Sequence, residues 1–99
     1  MPANTPEEAA HAHARATVAV DLGAVFRDMT PEALARAMRL GNTEWRLSGY
    51  ELTVQAQEGD DHLFDIRYQT DVGPLALRYR FREIDGAWKV VDIEKTAQT

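Results

Sequence analysis

The chain predicts an α+β fold, with N-terminal helices packed on a curved four-stranded antiparallel sheet. Three observations predict it. Up to Gly41 the texture is alanine-rich and apolar residues recur at helical spacing. Beyond it, β-branched and aromatic residues alternate with polar ones, the two-residue period of half-buried strands. Turn signals, Asp71-Val72-Gly73-Pro74 and Asp85-Gly86, divide that second half. The expectation is one domain over 1–99, with 1–5 disordered, 6–40 helical and 44–96 forming the sheet.

Thr5-Pro6-Glu7-Glu8 opens the first helix: Thr5 caps, Pro6 fits the first helical position, and Glu8 completes a capping box. Val18, Leu22, Val25, Phe26 and Met29 then define one apolar stripe. Gly23 within that stripe costs about 1 kcal/mol relative to alanine, so a break is expected there, with Asp21 capping the helical segment beyond it. Thr30-Pro31-Glu32 starts a further helix, which presents Leu34, Met38 and Leu40 to the core and stops at Gly41.

The first strand, 44–57, places Trp45 and Leu47 on odd positions and Tyr50, Leu52, Val54 and Ala56 on even ones. A strand changes faces only through an extra residue, so a bulge is expected at Ser48-Gly49. The second strand, 62–70, turns Phe64, Ile66 and Tyr68 one way and Asp65, Arg67 and Gln69 the other. In the third, Leu75, Leu77, Tyr79 and Phe81 face inward while Arg78, Arg80 and Arg82 face outward. Rings and guanidinium groups on opposite sides cannot form one stacking platform. For the last hairpin, cross-strand pairing favours a three-residue loop, Ile84 to Gly86. That register sets Leu77 against Ile93, Tyr79 against Val91, Arg78 against Asp92 and Arg82 against Trp88, and avoids placing Arg82 opposite Lys89. Trp88 and Val90 then join Arg78, Arg80 and Arg82 on the outer face. So much apolar surface calls for a covering partner, expected to be a second copy of the chain.

With 99 residues the chain buries one core without staples, and it has no cysteine, which excludes disulfides, thiolate zinc and cysteine nucleophiles and fits a cytoplasmic setting. The net charge of −5 argues against nucleic acid or anionic lipid as partner. No segment reaches the ~20 apolar residues of a membrane span, and the N-terminus lacks the charge and apolar regions of a signal peptide.

Chemistry-bearing motifs are sparse. His11 and His13, two apart on a helix, diverge by about 200° and cannot grip one metal ion; no metal or cofactor is expected. Ser48, the only serine, has no nucleophile-elbow context, and no glycine-rich phosphate loop occurs. The inner face is more suggestive. Trp45, Tyr50, Tyr68 and Tyr79 carry large apolar bodies with polar tips, the lining of a small-molecule pocket. Asp21 or Glu44 near its mouth would be the general base if the site is catalytic.

The order of elements, the Asp21-Leu22 break before a short helix and the closing Asp85-Gly86-Ala87-Trp88-Lys89-Val90-Val91-Asp92-Ile93-Glu94 resemble the NTF2-like superfamily, including its SnoaL-like members, and the related cystatin-like α+β rolls. The resemblance implies a sheet wrapped round a long helix, a conical pocket between them and dimerisation through the sheet. This chain lacks the extra helix and hairpin of longer members, which makes its pocket shallow or filled, and no catalytic residue is carried over. The expectation is a homodimer that binds a small apolar ligand, or a partner through its sheet, with isomerase- or cyclase-like acid/base chemistry in the pocket as the alternative.

Overall fold

The computed structural model describes residues 5–40, 47–71 and 73–96, without the side chains of Leu22 and Leu40. Three helices, α1 (Pro6–Val18), α2 (Leu22–Arg27) and α3 (Pro31–Leu40), precede four strands, β1 (Leu47–Glu58), β2 (Asp61–Thr70), β3 (Gly73–Ile84) and β4 (Ala87–Lys95). The strands form one antiparallel meander in the order β1-β2-β3-β4. This is the expected α+β architecture. The expected stop at Gly41 and the positions of Glu44 and Trp45 lie outside the described residues, as does Val72.

Each helix starts as its sequence dictates. Thr5 caps α1 as expected: its hydroxyl accepts from the Glu8 amide at 3.1 Å, and the Glu8 carboxylate accepts from the Thr5 amide at 3.1 Å. Asp21 accepts from the Ala24 amide at the start of α2, and Thr30 from the Ala33 amide at the start of α3. Between α1 and α2 the chain leaves the helix through a Schellman motif. The Val20 amide bonds the Thr17 carbonyl, the Asp21 amide bonds that of Ala16, and Val20 itself sits at φ +58°. A β-branched residue is uncommon there, because its Cβ crowds the following carbonyl. The break thus falls just before Gly23, at 19–21.

The helices meet the sheet largely through alanines. Ala9, Ala10, His13 and Ala14 of α1 are buried, as is Ala33 of α3, with Leu34 and Ala37 packed beside it. Met38 and Phe26, expected in the core stripe, are instead 74% and 49% exposed. Small side chains let the helix backbone come close, and the volume is supplied by Phe64, Ile66, Tyr68, Tyr79, Phe81, Val90 and Ile93 from the strands.

Strand register confirms some expectations and corrects others. The first bulge lies where parity demanded it: Leu47 pairs with Thr70 and Gly49 with Gln69, leaving Ser48 extra. A second shift between Val54 and Ala56 sets Ala56 opposite outward-facing Leu63, so Ala56 leaves the face that Val54 shares. The last hairpin corrects the three-residue loop. Ile84 pairs with Ala87 across a two-residue turn in which Asp85 and Gly86 have φ of +53° and +82°, the left-handed pair that type I′ turns require. Phe81 consequently faces Val90, Glu83 faces Trp88, and Arg82 faces Lys89. A shift between Arg80 and Phe81 then makes Val91 the extra residue, so that Tyr79 pairs with Ile93 and Arg78 with Glu94. Two like charges are tolerated at Arg82 and Lys89 because each is engaged elsewhere: Arg82 with Asp61, and Lys89 Nζ with the Arg27 carbonyl. Trp88 and Val90 therefore lie on the helix-facing side. Val90 is fully buried, and its backbone bonds the Asp28 carbonyl and the Thr30 amide, so the 28–30 segment runs beside β4.

Candidate functional site

A cavity of about 160 Å³ lies between the helices and the β3–β4 end of the sheet. His13 and Thr17 of α1, Val25 of α2, Met29 between α2 and α3 and Ala37 of α3 line one side; Leu75, Leu77 and Tyr79 of β3 and Ile93 of β4 line the other. It exists because α1 and α3 present alanines to strands that present branched and aromatic residues. The lining is mostly apolar, with polar atoms gathered around His13, Thr17 and Tyr79. Its volume matches cavities that take a benzene-sized guest.

His13 is almost wholly buried, and its ring meets Tyr79 and Phe81 edge-on at centroid distances of 5.4 and 6.1 Å. Nδ1 stands 3.4 Å from the Asp28 carboxylate, which projects from the C-terminal end of α2. An ionised carboxylate can only accept, so Nδ1 carries the proton of this contact. The Thr17 hydroxyl donates to the His13 carbonyl at 2.8 Å. Behind the cavity wall the hydroxyls of Tyr68 and Tyr79 are 3.0 Å apart, and burial pushes both phenols above their ordinary range, Tyr79 further than Tyr68. Both therefore keep their protons at neutral pH.

Of the residues that the sequence singled out for the pocket, Tyr79 lines the cavity and Tyr68 supports it from one bond behind. Tyr50 belongs elsewhere: its hydroxyl pairs with His11 Nδ1 at 2.9 Å and ties β1 to α1. Asp21 is an exposed cap of α2 and does not line this cavity. Glu44 and Trp45 lie outside the described residues. Sequence reasoning misses His13, Thr17 and Asp28. A signal for His13 is present, since it occupies the same helical face as Ala9, Ala10 and Ala14, a stripe of small residues where a histidine becomes buried.

The outer face of the sheet is a lattice of ion pairs. Arg78 grips Asp65 with two bonds of 2.7 and 3.1 Å. Arg80 bonds Asp61 and Glu58, each at 2.9 Å, and Arg82 takes both oxygens of Asp61. Asp61 is buried, and Arg82 beside it holds its carboxyl down at about 2. Leu63, on the same face, is only 8% exposed beside these groups. Trp88 and Val90 turn inward and contribute no apolar surface to this face. Among the described residues no helix is long and apolar enough to cross a membrane. No protein-family model, no curated protein and no solved structure matches the chain.

Proposed function

We propose that this protein binds a small apolar molecule in the cavity between the helical layer and β3–β4. The observation that carries the proposal is an apolar space of about 160 Å³ with its few polar atoms clustered at His13, Thr17 and Tyr79. Apolar walls supply affinity through area removed from water, and a localised polar end supplies orientation. The order of helices and strands supports reading the chain as a short NTF2-like or cystatin-like roll, in which such a space between helix and sheet has an obvious use.

Benzene is a suitable probe. Binding should raise the melting temperature as benzene approaches saturation and should move the methyl resonances of Leu75, Leu77 and Ile93. Ala37→Leu, which fills the space from α3, should abolish both responses while leaving the fold intact. Unmoved methyl resonances in the unsubstituted protein would overturn the proposal. So would an Ala37→Leu protein destabilised by about 1–3 kcal/mol, which is the mark of an already filled interior.

A further inference from the structure

If the cavity is a ligand site, its polar end offers an unpaired acceptor. The Thr17 hydroxyl donates its single proton to the His13 carbonyl. The Tyr68 and Tyr79 hydroxyls share one bond of 3.0 Å, in which either oxygen can donate. His13 supplies the acceptor. With Nδ1–H directed at Asp28, a neutral ring keeps its lone pair on Nε2. That nitrogen has no partner among the described residues, yet no buried side-chain nitrogen or oxygen among them is both sealed off and unpaired. Nε2 is therefore reachable, and the space its ring lines is the cavity.

We propose that the ligand is a benzene-sized ring bearing one hydrogen-bond donor, a phenol-type O–H or an azole-type N–H, which it gives to Nε2 of His13. An acceptor-only ligand meets the lone pair of Nε2 and loses its own hydration without replacement there. A purely apolar ring keeps the contacts of the walls but leaves Nε2 unsatisfied.

The proposal rests on the cavity reading, and phenol and toluene, which are close in size, separate the two. Their affinities are measured by titration calorimetry at about pH 8, where imidazoles are ordinarily neutral, in the unsubstituted chain and in the His13→Leu and Asp28→Asn variants. The expected result is that phenol weakens by about tenfold or more in both variants, while toluene is not weakened in either. Asp28→Asn removes the carboxylate that fixes the tautomer but leaves the cavity wall unchanged, so it decides the matter should His13→Leu fail to fold. Toluene binding without phenol binding would overturn the donor rule alone, as would phenol affinities that ignore both substitutions. Binding of neither compound would remove the cavity reading and the donor rule together.

Discussion

Alternate residues of β3 live in opposite surroundings. Tyr79 and Phe81 are 2% and 0% exposed against the helices, whereas Arg78, Arg80 and Arg82 face outward and are each held by carboxylates of the β1–β2 hairpin. The inner face is organised by shape: branched and aromatic side chains fill much of the space that alanine helices leave, with a cavity between them. The outer face is organised by charge, and the three arginines of β3 are each engaged with carboxylates. A surface whose arginines already hold Asp61, Asp65 and Glu58 has little left to offer a phosphate or an acidic partner, since binding one would first require separating these pairs. A recognition site is better sought on the side where packing is incomplete.

Phe81→Ala tests the inner half of this contrast and should have the largest effect. The ring is fully buried and packs edge-on against Phe64 and His13. Its removal should cost about 3–5 kcal/mol, combining lost transfer energy with a residual void. Because no charge is involved, the loss measured by urea denaturation should be the same at neutral pH and at mildly acidic pH, and in low and high salt. A loss that changes with salt would mean that the two faces are not energetically separate.

The contrast between the faces is legible from alternation alone, because a strand carrying Leu-Arg-Tyr-Arg-Phe-Arg has one way to satisfy both kinds of side chain. The last hairpin is where sequence reasoning fails. Pairing preferences worth about a few tenths of a kcal/mol each cannot outweigh the Asp-Gly turn, whose left-handed backbone fixes the two-residue connection. Parity also bears on it. Trp88 and Val90 on even positions, with Ile93 on an odd one, require a bulge between them, by the reasoning that located the bulge at Ser48. The cavity is less legible. His13 lies 15 residues from Asp28 and far along the chain from Tyr79; the angle between α1 and α2 brings it to Asp28, and the packing of α1 on β3 brings it to Tyr79. Nothing in periodicity sets that angle.

Asp61→Asn probes the outer face at its most buried point. Asp61 holds Arg80 and Arg82 at once, and its carboxyl is lowered from an ordinary 3.8 to about 2, chiefly by the Arg82 hydrogen bond. A depressed carboxylate stabilises the fold fully above its unfolded value and loses that contribution as pH falls from about 4 through about 2. The substitution should therefore cost about 1–2 kcal/mol at neutral pH, less than the full shift implies, because Arg82 is half exposed and screened by water. The difference from the unsubstituted chain should shrink towards zero near pH 2, if both proteins are still folded there. A difference that persists at that pH would assign Asp61 a role of shape and not of charge.

The smallest effect is expected at Arg36, which reaches from α3 to Asp92 on β4 with a single bond of 2.9 Å. Both side chains are more than a third exposed, at 56% and 38%, so water and ions compete with each partner. Exposed pairs of this kind contribute about 0–1 kcal/mol, and alanine regains part of any loss through its better helix propensity. Arg36→Ala should thus lie within about 0.5 kcal/mol of the unsubstituted protein by denaturation, and the remaining difference should vanish in about 1 M salt. The same bond type at Asp61 should matter several times more, because two arginines converge there on a buried carboxylate. Equal losses at the two sites would mean that burial of the acceptor does not set the worth of these ion pairs, and the distinction between the ion-paired outer face and the incompletely packed inner one would then rest on packing alone.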